Sequence, residues 1–86
     1  MEQSKHLKVN VFKNGDRTVA LTMPIYSLNI IDTLIPEPAL KVLRDKGLNL
    51  NSIISKVKQS QYRPQSLFEE EALIDNVHKR YKVWIE

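Results

Sequence analysis

The side chains able to do chemistry are few in this chain, and their spacing keeps them apart. His6 and His78 are the only histidines. A metal ion needs three or four converging ligands, commonly with two of them one helical turn apart. Neither histidine has such a neighbour, and Asp75 near His78 makes at most a pair within a turn. Glu69, Glu70 and Glu71 are consecutive, and consecutive side chains diverge in a helix or a strand, so they do not make a paired acid and base. Cysteine is absent, which removes thiolate ligands and a thiol nucleophile and accords with a reducing compartment. Gly15 and Gly47 are the only glycines. Both are needed as turn or cap residues, so no glycine-rich loop is available to cradle a phosphate. No serine sits in a G-x-S-x-G elbow. The sequence therefore reads as a non-enzyme, with no catalytic residue, no metal site, no cofactor and no evident small-molecule substrate.

Surface chemistry remains. Phe12 and Trp84 each fall on the polar side of an alternating segment, Phe12 opposite Val9 and Val11, Trp84 opposite Tyr81, Val83 and Ile85. If their two strands adjoin, the rings share the outer face of a sheet, either as a stiffening cross-strand pair or as an exposed patch for another chain. Tyr26 and Ile30 lie beyond the main apolar stripe of their segment and add apolar surface that a small sheet does not cover. Self-association as a two-fold homodimer, or binding to another protein, is the economical use of such surface. The competing reading is a nucleic-acid binder. Net charge is +3, and Lys41, Arg44, Lys56 and Lys58 lie in the helical middle of the chain. Dense cations interleaved with aromatic or glycine residues, the usual mark of that function, are not seen in the sequence.

The elements that carry these residues can be read from hydrophobic period. Residues 6–13 alternate, with Leu7, Val9 and Val11 on one face; residues 17–23 alternate with Val19, Leu21 and Met23. Both are half-buried strands, and Asn14-Gly15 is the turn signal between them. A two-residue loop would put the two apolar rows on opposite faces. A three-residue Lys13-Asn14-Gly15 loop brings them together, with Val9 opposite Val19 and Leu7 opposite Leu21. The stretch 24–58 holds most of the large aliphatic side chains, and they recur at helical spacing. Ile25, Leu28, Ile31, Leu34 and Ile35 predict a helix after Pro24, stopped by Pro36-Glu37-Pro38, with Ile35 and Glu37 extended or in a turn. A second helix runs from about Pro38 to Lys46 with Leu40 and Leu43 inward and Gly47 as its C′ residue. Asn49 caps a third, whose apolar face is Leu50, Ile53, Ile54 and Val57. In the C-terminal part, Ser66-x-x-Glu69 has the form of a capping box, but an extended Leu67–Asp75 segment, turning near Asn76-Val77-His78, better feeds the alternating final strand at 79–85.

At 86 residues the chain is a single domain, with residues 1–5 expected to be disordered. A domain of this size buries only about 60–65% of the surface its unfolded form exposes. No apolar run approaches the roughly 18–20 residues of a membrane-crossing helix, and there is no signal peptide, so a cytoplasmic location is expected. The expected fold class is α+β, an antiparallel sheet of three to four strands packed on one face by two to three helices, in the order β-β-α-α-α-(β)-β.

That order resembles the C-terminal region of bacterial proteins described as containing a SHOCT-like domain. The matching positions are Val9, Val11 and Gly15, the V-x-L-x-x-P run ending at Pro24, Gly47-x-Asn49-Leu50 with Ile53-Ile54, and Val83-Trp84-Ile85-Glu86. The match spans roughly residues 6–86. Two features depart from the family pattern: the short N-terminal helical pair is absent from this sequence, and Ser66–Val77 is longer and more acidic. The resemblance implies a bacterial cytoplasmic protein, in a family with no assigned enzymatic activity and some members encoded beside envelope or stress regulators.

Overall fold

The computed structural model describes residues 3–86. Its elements run β1 (His6–Lys13), β2 (Asp16–Pro24), a 3-10 segment (Ile25–Ile30) leading directly into α1 (Ile31–Leu34), α2 (Glu37–Asp45), α3 (Leu50–Gln59), β3 (Gln65–Ile74) and β4 (Val77–Ile85). The four strands form one antiparallel sheet in the order β2-β1-β4-β3. This is the expected α+β class. β1 and β4, the first and last strands, are the central pair; β2 and β3 are the edges.

The apolar rows of β1 and β2 share a face, as their alternation requires, but the register differs from the one expected. Asn14-Gly15 is a two-residue turn with Lys13 paired to Asp16, and both turn residues have positive φ, 50° and 88°, the backbone that matches strand twist in tight hairpins. The phase is corrected within the strand instead. Register shifts between Val11 and Phe12, leaving Thr18 as the extra residue of a bulge, so that Val9 faces Leu21 and Leu7 faces Met23. The Thr18 hydroxyl donates to the Val11 carbonyl at 3.3 Å, a local partner for the distorted ladder. β3 and β4 use the same kind of turn at Asp75-Asn76, with φ of 52° and 65°, slightly earlier than the Asn76-Val77-His78 position expected. Ser66-x-x-Glu69 caps no helix; it lies within β3, and a second bulge leaves Leu67 unpaired.

The helical layer follows the sequence closely, with one change of type. Residues 25–30 are 3-10 rather than α. Ile25, Leu28, Ile31 and Leu34 recur at an unbroken spacing of three, the period of a 3-10 helix, and Leu28 and Ile31 are buried. Ile35 is extended, with φ −102° and ψ 124°, as its place before Pro36 dictates. Glu37, expected outside the helix, is instead the first residue of α2, and the Pro36 carbonyl accepts from Ala39 and Leu40 N–H. Gly47 ends α2 in a Schellman arrangement. Its N–H donates to Arg44 O at 2.9 Å, Leu48 N–H donates to Leu43 O at 2.8 Å, and φ is +76°, so the last carbonyls are satisfied by a residue without a Cβ penalty. Asn49 caps α3: its Oδ1 accepts from Asn51 N–H at 2.8 Å and Ser52 N–H at 3.3 Å.

The core lies between the helices and one face of the sheet. Leu7 and Val9 of β1, Tyr81, Val83 and Ile85 of β4 and Phe68 of β3 meet Leu28, Ile31, Ile35, Ala39, Leu43 and Val57. α2 sits on β3 and the 3-10 segment on β1. β2 contributes no fully buried side chain; only Met23 is half-buried. Residues 1 and 2, in the stretch expected to be disordered, lie outside the described residues. Ser4 and Lys5, in the same stretch, are tied down: Ser4 is buried, its N–H donates to Tyr62 O at 2.7 Å, and Lys5 N–H donates to Glu86 O at 2.9 Å.

Two substitutions separate capping from packing. Asn49→Ala removes the acceptor for two N–H groups and is expected to cost about 1 kcal/mol. Leu43→Ala opens a cavity at a fully buried position and is expected to cost about 2–5 kcal/mol. Denaturant titration followed by circular dichroism reads both. Equal losses for the two would contradict this account of the core.

Candidate interaction surfaces

Alternation along β1 and β4 sends His6, Lys8, Asn10 and Phe12, with His78, Arg80, Lys82 and Trp84, to the face of the sheet that bears no helix. Phe12 and Trp84 thus share the outer face, but they do not meet. Phe12 is paired with Arg80 and Trp84 with Lys8, and the Asn10–Lys82 pair lies between them. Each ring instead has its own cation. The Arg80 guanidinium lies 4.3 Å from the centre of the Phe12 ring, and Lys82 Nζ lies 5.4 Å from that of Trp84. Such contacts contribute about 0.5–1 kcal/mol when exposed.

The charges of this face are stitched across strands. Arg80 Nη1 is 3.7 Å from Glu69 Oε1 on β3. Lys8 Nζ donates to Thr22 Oγ1 on β2 at 2.9 Å and is 3.4 Å from Glu86 Oε1. Trp84 Nε1–H donates to Glu86 Oε2 at 3.2 Å. Hydrogen bonding from the Trp84 indole, then from Lys8, holds the Glu86 carboxyl below its usual value. Near the hairpin turns an open cleft of about 360 Å³ is lined by Phe12, Asn14, Glu71, His78 and Arg80, among others. The Arg80 Nε–H is buried beside it without a partner.

The histidines stand at opposite ends of this face. His6 N–H bonds to Glu86 O, whereas His78 O accepts from Asn14 N–H at the turn end. Antiparallel pairing of β1 with β4 therefore separates them, and among the described residues no group of three or more His, Asp or Glu side chains is placed to hold a metal ion. The three consecutive glutamates split: Glu69 pairs with Arg80, and Glu70, on the helix-facing side, pairs with Lys46 at the end of α2. The basic residues of the helical middle are also divided. Lys41 and Arg44 are on α2, Lys56 and Lys58 on α3, and Arg44 is paired with Glu37. Lys56 and Lys58 fall in the last turn of α3, where cations favour the helix dipole.

Tyr26 and Ile30 are 71% and 52% exposed on the 3-10 segment. Tyr26 borders a cleft of about 230 Å³ with Gln3, Ser4, Ile25 and Tyr62, and the Ser4 hydroxyl beside it is buried with no hydrogen-bond partner. Sequence reasoning did not single out Ser4 or Tyr62, because their meeting depends on the N-terminal segment packing on the end of α3. Alternation puts Val19 and Leu21 on the apolar face of a half-buried strand, yet they are 37% and 44% exposed. The available signal was sheet order: the helix-facing side of an edge strand is the first to be left uncovered. No helix among the described residues is long and apolar enough to cross a membrane. Comparison of the chain with protein-family models, with curated proteins and with solved structures found no match.

Trp84 is the only tryptophan, so its emission reports the Glu86 contact. A carboxyl held low in the folded chain contributes stability above its unfolded value and loses it as pH falls through the folded one. Emission is therefore expected to stay constant through the ordinary carboxylate range and to change only below it. Glu86→Gln should remove that transition; persistence of the transition in the variant would assign it to another group.

Proposed function

We propose that the protein is a non-catalytic protein-interaction or regulatory module that self-associates, most simply as a homodimer. The observation that supports this reading best is the division of labour on the 3-10 segment. Leu28 of that segment and Ile31 just after it complete the core, while Tyr26 and Ile30 of the segment remain 71% and 52% exposed. Large apolar side chains that the chain's own core does not use are the usual material of an interface. The positions that carry the likeness to SHOCT-like bacterial proteins are chiefly strand, turn and cap residues: Gly15, Gly47, Asn49 and the Val83–Glu86 run. A cytoplasmic regulatory companion in a bacterium is the setting which that likeness suggests.

Nucleic-acid binding through Lys41, Arg44, Lys56 and Lys58 is the competing reading. The division of these cations between two helices, and the Arg44–Glu37 pair, leave it with less support. Sedimentation over a concentration series decides the first reading. The mass is expected to rise from 10.0 kDa toward twice that value. Tyr26→Glu combined with Ile30→Glu is expected to weaken any association that uses the 3-10 surface. A strict monomer up to about millimolar concentration would sink self-association. Binding of single-stranded DNA or RNA that weakens steeply with added salt would favour the nucleic-acid reading instead.

A further inference from the structure

The two edges of the sheet are differently guarded. β3 carries Glu69, Glu70 and Glu71 in its middle and a bulge at Leu67. Consecutive like charges and bulges are the devices that keep an edge from pairing with another strand. β2 carries charge only at Asp16 and Arg17; from Thr18 to Pro24 it reads TVALTMP, with no charged residue. Its bulge, at Thr18, lies close to the turn, so Val19–Met23 is a stretch of free edge in regular register. Along it, Val19, Leu21 and Met23 point to the helix-facing side, yet Val19 and Leu21 are 37% and 44% exposed because the helices sit over β1 and β3. A free ladder edge and an uncovered apolar row therefore coincide on one strand.

We propose that this edge is the homodimer interface: β2 of one copy pairs antiparallel with β2 of a second, about a two-fold axis through Leu21, to make a continuous eight-stranded sheet. The proposal rests on the self-association reading above but assigns the contact to the β2 edge, apart from Tyr26 and Ile30 of the 3-10 segment. The segment is self-complementary in this register. Val19 faces Met23 of the second copy, Leu21 faces Leu21, and Ala20 faces Thr22, so each side chain of the helix-facing row meets an apolar one and no charges are opposed. A two-fold axis normal to the sheet keeps both helical layers on the same side, and the apolar rows become continuous. Pairing β3 with β3 would oppose glutamates. Pairing β2 of one copy with β3 of the next would leave an edge free at each end and generate open filaments rather than a closed pair. One strand and a short apolar row make a small interface, of the size class below about 1,200 Å² that gives transient complexes, so association is expected in the micromolar range.

Because Leu21 lies on the axis, one position tests the arrangement. Leu21→Lys and Leu21→Glu each place like charges face to face, and each alone is expected to remain at 10.0 kDa at concentrations where the parent chain has doubled its mass. An equimolar mixture of the two should regain the doubled mass, at a level that falls with added salt. Circular dichroism checks that both variants keep the fold, which the exposure of Leu21 favours. The parent chain supplies a second readout independent of substitution: alternate amides of Val19–Met23 should gain exchange protection as concentration rises, while those of β3 do not. Doubled mass in either single variant, no reassociation in the mixture, or doubled parent mass without new protection on β2 would overturn the β2 interface while leaving self-association standing. A parent chain that never exceeds monomer mass would overturn both.

Discussion

The ladder between β1 and β4 joins the first strand of the chain to the last, and the other parts of the fold are placed by it. Leu7 faces Ile85, Val9 faces Val83 and Val11 faces Tyr81, and of these six only Val11 is not buried. Each hairpin brings just one strand to this seam. Neither hairpin has an apolar face large enough to stand alone, since a two-stranded ribbon is at best marginal in water. Joined, they present the surface on which Leu28, Ile31, Ala39, Leu43 and Val57 can pack. The seam is closed at its open end by reciprocal bonds between His6 and Glu86 and at its turn end by Asn14 and His78.

The seam also sets what each face of the sheet can do. Once it is in register, the inward row is apolar and continuous, and the outward row collects Lys8, Phe12, Arg80, Lys82 and Trp84. The outward rings are not a free aromatic platform, because each has a cation from the neighbouring position and Trp84 donates to Glu86. The inward row is covered unevenly. A helical layer made of a 3-10 segment and three short helices, the longest of 10 residues, reaches across β1, β4 and β3 and leaves β2 bare but for Met23. Apolar exposure on this molecule thus follows from the reach of the helices as much as from an excess of apolar residues.

Features whose chemistry is complete within a few residues could be read from the sequence. Gly47 and Asn49 are examples: a C′ glycine and an Asn cap act on N–H and carbonyl groups within one turn, and both stand where the sequence puts them. The inward and outward sets of β1, β2 and β4 were legible from period two for the same reason, whereas β3, with its bulge at Leu67, was legible only as an extended segment. The β1–β2 register was not, because the phase correction at Thr18 is made by a residue with no bulge-specific side chain, in place of a glycine in the loop. The 3-10 form of residues 25–30 is visible in the spacing of three from Ile25 to Leu34, but the same residues also satisfy a looser helical stripe. The surfaces were least legible of all. Whether Phe12 meets Trp84, whether the histidines converge and whether Leu21 is covered are all decided by pairings between residues some 10 to 75 positions apart, which no local pattern encodes.

Both tight turns, Asn14-Gly15 and Asp75-Asn76, lie at the same end of the sheet, tied by the Asn14–His78 bonds. Each hairpin is therefore a local event that can zip from its own turn, and isolated hairpins form within about 1–10 μs. The seam between them is distant in sequence and must wait for loop closure across the whole helical middle. The expected order of assembly is two fast ribbons, then one slow docking step, with the helical layer settling as the ribbons meet. The speed at which this small domain folds is then governed by how long its two ends take to find each other.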